Sequence, residues 1–316
     1  MRRKWLAVIL AAAACVLLIG AYLGTDPENR DIDEDVRAVW GGSYTALSRG
    51  VTHYSLDGPA DGRLVVLVHG GTIPMFTWDD VAPRLASDGY RILCYDMYGR
   101  GYSDRPRAVY DRQLFQEQLD ELLDAMDVRE PVDLVGYSHG GGVAADFAAK
   151  FPSRVRSLVL ISPVVYGLRT PTVLKVPVLG EILMRVRGVG TVTRRALGQF
   201  EGTPNAQRHA ELVAEQAAYR GFRASLLSML RHNALSGDYR DSLTVIGKQE
   251  FPVMIIWGPL DRENTEEAIA AARSLIPRAQ YHAVAGAGHD IVFKKPEHVA
   301  GAIEDFLRSS DGPQAP

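Results

Sequence analysis

One stretch constrains this chain more than any other: Val132-Asp133-Leu134-Val135-Gly136-Tyr137-Ser138-His139-Gly140-Gly141-Gly142. A largely apolar run ends in Gly-x-Ser-x-Gly, and an alanine-rich, helix-compatible segment at residues 143–151 follows at once. In a strand, a tight turn and a helix, Ser138 occupies a cramped corner. Gly136 and Gly140 are then needed because side chains there would collide with the adjoining strand and helix. The corner pushes the hydroxyl outward. It also leaves the backbone N–H of His139 at a helix N-terminus, where unpaired donors and the helix dipole favour a developing oxyanion. A glycine-rich turn that merely contains a serine would not need this strand before it and this helix after it.

The flanks repeat the alternation. Residues 51–55 read as a strand ending at Asp57-Gly58-Pro59, and residues 63–68 as a core strand, the pair resembling a hairpin followed by a core strand. Then come a helix at 81–87, a strand at 91–95, a helix at 114–126, the strand and helix around Ser138, and a strand at 157–161. Strands of continuous apolarity separated by amphipathic helices predict a parallel sheet covered on both faces. Residues 164–248 change character to arginine-bearing, leucine-rich helical segments broken by Pro171, Pro177, Gly188, Gly190 and Pro204, which predicts an inserted helical cap. The sheet pattern resumes with a strand at 253–258, a helix at 263–275, a strand at 280–284, a turn at Gly286-Ala287-Gly288 and a helix at 297–307. The expected organisation is thus an N-terminal segment at 1–24, a linker at 25–35, a core at 36–163, the cap at 164–248, the rest of the core at 249–308, and a disordered tail at 309–316.

Residues 5–23 are nearly all apolar and uncharged and follow Arg2-Arg3-Lys4, which fits either a membrane span or a secretory signal. Length favours the span, since a signal has an apolar core of only about 7 to 15 residues. The cations keep the N-terminus in the cytoplasm either way, so the body is expected outside a membrane or secreted. Setting those cations aside leaves 32 basic against 38 acidic side chains, which gives no nucleic-acid footprint. Two cysteines, Cys15 and Cys94, provide neither a disulfide framework nor a thiolate metal site, and no cofactor is called for.

A serine nucleophile needs a base, and the base needs a carboxylate to hold its tautomer. Of eight histidines, His289 is the strongest candidate, on a turn after the last strand. His282 lies within that strand and His298 in the final helix, while His69 is better placed to buttress a loop. Asp261, in Trp257-Gly258-Pro259-Leu260-Asp261, sits after the penultimate strand and is the candidate acid, with an ordinary helix cap as the competing reading. Asp290 and Glu263 are the fallbacks. A second oxyanion donor is expected after the strand at 64–68, from the backbone of Gly71 or alternatively Thr72.

The order Ser138, Asp261, His289, with His69-Gly70-Gly71 upstream and Asp96-Met97-Tyr98-Gly99-Arg100-Gly101-Tyr102-Ser103 matching D-x-x-G-x-G-x-S, resembles the α/β-hydrolase fold family and its cap-bearing, epoxide-hydrolase-like branch. That resemblance implies a mostly parallel eight-stranded sheet with antiparallel first strands, helices on both faces and a cap inserted after the sixth strand. It implies catalytic Ser138, Asp261 and His289, oxyanion donors at His139 and Gly71, and neither metal nor cofactor. Epoxide hydrolases and haloalkane dehalogenases of this branch carry aspartate at the elbow, so serine points to acyl transfer, first of all to hydrolysis of a carboxylic ester on a small-molecule acyl substrate. Hydrolysis of a C–C bond or small amide is the alternative, and a noncatalytic binding module is a third reading. The stretch from Arg169 to Arg195 also concentrates cations among apolar residues, which fits either contact with anionic lipid or the solvated outer face of a pocket lid.

Overall fold

The computed structural model describes residues 2–24, 26 and 28–310. Its centre is an eight-stranded sheet of order β1-β2-β4-β3-β5-β6-β7-β8, where β1 is Ser43–Leu47, β2 Gly50–Asp57, β3 Leu64–Val68, β4 Arg91–Tyr95, β5 Val132–Tyr137, β6 Val155–Ile161, β7 Val253–Trp257 and β8 Gln280–Ala283. β1 and β2 run antiparallel to their neighbours, and every pairing from β4 to β8 is parallel. The hairpin is formed by β1 and β2, and the core strand after it is β3. β2 pairs with β1 and β4 and not with β3, because β3 is buried and apolar on both faces and takes a central place between β4 and β5. β1, which carries Ser43, Tyr44 and Thr45 and buries no residue fully, has no apolar run to announce it.

Alternate residues of the central strands feed two cores. Val66, Val68, Val132 and Leu134 pack under the helices Arg112–Ala125, His139–Lys150, Arg240–Ile246 and Glu266–Leu275. Val65, Leu67, Val135 and Tyr137 pack under Ala82–Ser87, Ile291–Lys294 and Pro296–Ser309. Two-sided burial explains why these strands read as continuous apolar runs. The helix expected from residue 263 begins only at Glu266, because the preceding N–H groups of Glu263 and Asn264 turn back to the Asp261 carboxylate.

Between β6 and β7 the chain runs through the helices Thr172–Lys175, Leu179–Leu183, Val189–Phe200, Ala206–Ala218, Phe222–Arg231 and Arg240–Ile246, the last of which packs beside His139–Lys150. Before β1, the apolar helix Arg2–Gly24 ends on the segment Met184–Gly188 of this insertion. The segment expected to be a spacer lies along the insertion: Asn29 and Arg30 N–H donate to Ala218 C=O at 3.0 Å, and Arg220 N–H returns a bond to Arg30 C=O at 2.8 Å. Thr25 and Pro27 of that spacer, and residues 311–316 of the expected tail, lie outside the described residues, while Ser309 closes the last helix.

Candidate active site

Ser138 immediately precedes the helix His139–Lys150 and has φ 54° and ψ −119°. Positive φ is strained for a residue with a side chain, so its surroundings must hold it. They do: Ser138 N–H donates to Ile161 C=O at 2.9 Å, and its own carbonyl accepts from Gly141 and Val164 at 3.0 and 3.1 Å. A Cβ on Gly136 would overlap the Gly140 carbonyl, and one on Gly140 would overlap the Val68 carbonyl. The turn can therefore be this tight only with glycine at both positions.

His289 and Asp261 arrive on the loops after β8 and β7, at the carboxyl edge of the sheet where Ser138 stands. His289 Nε2 lies 3.0 Å from Ser138 Oγ, and Nδ1 lies 2.9 Å from Asp261 Oδ2. Burial alone would push the Asp261 carboxyl up, but the hydrogen bond and charge of His289 and the N–H groups of Asn264 and Glu263 outweigh it and hold it below the ordinary value. An ionised carboxylate can only accept, so Nδ1 carries the proton and Nε2 turns its lone pair to the serine hydroxyl. Oδ1 meanwhile takes the Glu263 and Asn264 N–H groups at 2.8 and 2.9 Å, so one side chain both pins its turn and orients the imidazole. The Tyr137 hydroxyl donates to the His289 carbonyl at 2.5 Å and steadies that loop.

The fallback acids are placed differently. Asp290 pairs with Lys294 at 2.8 Å. Glu263 approaches the other imidazole nitrogen, with Oε2 3.3 Å from Nε2, while its Oε1 holds Arg195 of the insertion at 2.7 Å. This carboxylate stands beside Ser138 and opposite Asp261, a position that no local pattern marks.

Successive peptides of the loop after β3 are each gripped by a side chain. His69 Nδ1–H donates to Gly70 C=O at 2.6 Å, Arg100 Nε–H to Gly71 C=O at 2.6 Å, and Gln216 Nε2–H to Thr72 C=O at 2.6 Å. In a trans peptide the N–H points opposite to the carbonyl, so these grips set the directions of the N–H groups of Gly71, Thr72 and Ile73. Gly71 adjoins the elbow: a Cβ on it would stand 3.3 Å from His139 Cβ. His69 also accepts Met97 N–H at Nε2 (2.9 Å), and burial holds its imidazole down to about 4, so the ring is neutral. His139 packs edge-on against Phe115, and burial with the nearby Arg100 charge takes it to about 3. Neither ring competes with His289 as a base near neutrality.

Arg100 and Gln216 are the residues that sequence reasoning passed over. Arg100 is fully buried, forms no ion pair among the described residues, and spends its donors on the carbonyls of Gly71 and Gly99 and on Ser225 Oγ. Burial draws it down to about 9, which leaves it charged at neutral pH. The available signal was an arginine framed by two glycines in the Asp96 loop; Gln216, on a helix of the insertion, carried none. Asp96 itself accepts from His53 Nδ1 (2.7 Å), Met75 N–H (2.9 Å) and Tyr102 N–H (2.9 Å), tying the far end of the loop after β3 to the sheet.

The cavity over Ser138 measures about 120 Å³ and is lined by Gly71, Thr72 and His289 from the core and by Leu168, Val192 and Leu230 from the insertion. A larger cavity of about 500 Å³ lies behind the same loop, between His53, Met75, Trp78 and Gln216. Among the described residues that line it no hydroxyl is paired with an imidazole, whereas the smaller cavity holds Ser138 beside His289. Among the described residues, no group of three or more His, Cys, Asp or Glu side chains could hold a metal ion.

A model described as "Alpha/beta hydrolase family" matches residues 65–302. The chain is 30% identical to a 2-hydroxymuconate semialdehyde hydrolase of Pseudomonas sp. (strain CF600), over 79% of this chain and 88% of that protein. It is 27% identical to a cis-3-alkyl-4-alkyloxetan-2-one decarboxylase of Shewanella oneidensis, over 82% and 86% of the two. Among solved structures, an enol-lactonase from Burkholderia xenovorans LB400 superposes with a TM-score of 0.70 at 21% identity, covering 84% of this chain and 100% of its own.

Proposed function

The chain belongs to the alpha/beta hydrolase family, and within it we propose a serine hydrolase that cleaves a carboxylic ester through Ser138, His289 and Asp261. The observation that carries the reading is the continuous line from Asp261 Oδ2 through His289 to Ser138 Oγ, at 2.9 and 3.0 Å. His289 Nε2 accepts the hydroxyl proton as Oγ bonds to the substrate carbonyl carbon, and Asp261 stabilises the imidazolium that results. The carbonyl oxygen becomes an oxyanion facing the N–H groups of His139 and Gly71, each donor contributing about 3 kcal/mol to the barrier. Collapse expels the alcohol, which takes the proton from His289, and leaves an acyl-enzyme on Ser138. Water then repeats the sequence, giving its proton to His289 and releasing the acid with Ser138 restored.

Arg100, His69 and Gln216 act in this scheme as positioning residues, because they hold the loop peptides from the carbonyl side before charge develops. Preorganisation of this kind costs no reorientation during the reaction. Serine at the elbow speaks against the aspartate-dependent displacement at carbon of related hydrolases. The second reading, hydrolysis of a C–C bond beside a carbonyl, is favoured by the name of the Pseudomonas relative. The same groups would serve it, and the pocket would decide.

We read the helix Lys4–Tyr22, 19 residues of mean hydropathy 2.4 with none of its length buried, as an uncleaved anchor that leaves the catalytic body outside the cytoplasm. Its support is the cationic run before it and the contact of Tyr22 with the insertion. Labelling by a fluorophosphonate, lost in Ser138→Ala, tests the nucleophile. A panel of p-nitrophenyl esters run beside vinylogous diketones tests the bond class; turnover of the diketones alone would overturn the ester reading.

A further inference from the structure

The insertion presents an uncovered apolar edge. Leu168, Val176, Val178 and Leu179 are all exposed, Val178 to 70%. Val178 has φ 67° and ψ −48°, and Leu179 N–H donates to Pro177 C=O at 2.8 Å, which makes Pro177-Val178-Leu179 a γ-turn of the rare, strained kind. A β-branched residue in this conformation is an outlier, and here it holds an apolar side chain out at the tip of the turn. The same lobe carries Arg169, Lys175, Arg187 and Arg194, all exposed and without an ion pair among the described residues. The other cations of the lobe are engaged, Arg185 with Asp26 and Arg195 with Glu263. Arg231 binds the Leu174 and Val176 carbonyls and Glu181, so the edge is braced.

This lobe is also where the N-terminal helix arrives. The Arg185 guanidinium lies 3.8 Å over the Tyr22 ring, at the end of the apolar stretch. Immediately after it, Asp26 pairs with Arg223 at 2.7 Å, Glu28 accepts from the Arg223 and Gly221 N–H groups, and Arg30 pairs with Glu215 at 3.1 Å. The connection is therefore a strap, and the lobe is held at the depth where the helix leaves the hydrocarbon. Leu168 joins this edge to the chemistry, because it is exposed and also lines the cavity over Ser138.

We infer that the lobe seats on the surface of an anionic bilayer, with Val178 inserted among the headgroups, and that the substrate is an amphipathic ester whose apolar part stays in that bilayer. The inference rests on the anchor and the serine nucleophile proposed above. A cavity of about 120 Å³ holds the reacting acyl end and little more, so a long apolar remainder must lie along the rim past Leu168. Exposed apolar side chains and unpaired cations on one lobe are the chemistry of an interfacial surface, and the strap removes the freedom that would otherwise separate it from the membrane.

The test uses the full chain, carrying Cys15→Ser so that the new thiol is the one exposed to label while Cys94 stays buried, in nanodiscs of phosphatidylcholine with or without phosphatidylglycerol. Val178→Cys bearing an environment-sensitive fluorophore is expected to emit to the blue and to be quenched by brominated lipid in the anionic discs, with both effects weakened when Lys175, Arg187 and Arg194 are changed to glutamine. That triple variant is expected to lose about tenfold on a monoacylglycerol carried in the disc and nothing on p-nitrophenyl acetate. Water-like emission in both lipids, from protein that co-elutes with discs, overturns the docking. Failure to co-elute overturns the anchor and the docking with it, and turnover retained by Ser138→Ala overturns the nucleophile separately.

Discussion

Lowering the pH from 7 to 5 should remove a large part of the stability of this fold, through two imidazoles that do no proton chemistry. His69 and His139 are both fully buried, and burial is the leading cause that holds them down to about 4 and about 3. His69 has a further reason to stay neutral, since its Nε2 accepts the Met97 N–H. In the unfolded chain each returns to about 6.5, so as the pH falls below that value the unfolded state binds protons that the native state refuses. A histidine with a depressed native pKa therefore contributes full stability above about 6.5, and the contribution is lost as the pH falls toward the native value. At pH 5 the unfolded groups are nearly fully protonated and the native groups nearly not, which costs about 2 kcal/mol for each histidine and about 4 kcal/mol for the pair. That is a large share of the roughly 5 to 15 kcal/mol of a typical domain. The assay is urea unfolding of the full chain in mild detergent, followed by circular dichroism at pH 5, 6 and 7. His139→Met should remove about half of the dependence, because the ring stands against Phe115 and its nitrogens have no hydrogen-bond partner among the described residues. A His139→Met variant whose stability falls as steeply as that of the unaltered chain would refute the reasoning.

Ser138→Ala should lower ester turnover by about a millionfold, and Asp261→Asn by about ten-thousandfold, measured as kcat on p-nitrophenyl esters. Asp290→Asn should leave turnover within about twofold because its carboxylate faces Lys294, and Glu263→Gln should cost under about tenfold. Arg100→Met should lower kcat by about tenfold with KM little changed, since it frees the Gly71–Thr72 peptide that follows the peptide carrying the Gly71 N–H, and Arg100→Lys should fail to restore it for want of the planar fork; a loss confined to KM would contradict the positioning role. Gly140→Ala should cost about 3 kcal/mol or more in urea unfolding, because the new Cβ meets the Val68 carbonyl, which is backbone and cannot swing aside.

What the sequence determined by itself is whatever depends on neighbours along the chain. The elbow was legible because its glycines, its serine and its flanking strand and helix lie within residues 132–151, and their steric demands are local. The parallel sheet was legible because two-sided burial writes continuous apolar runs. His289 and Asp261 could be nominated from their turns, but which oxygen meets which nitrogen could not. Asp261 divides its two oxygens between its own turn and a histidine 28 residues on, and that division exists only once β7 and β8 lie side by side. Tertiary structure alone put Glu263 at Nε2, Arg100 under the Gly71 carbonyl, and Gln216 from the insertion on Thr72. It also turned the expected spacer into a strap, because Asp26, Glu28 and Arg30 find partners about 160 to 200 residues away. Hydrogen bonds and ion pairs across such distances leave no periodicity in a sequence, since the donor and acceptor are ordinary polar residues until the fold removes water from between them.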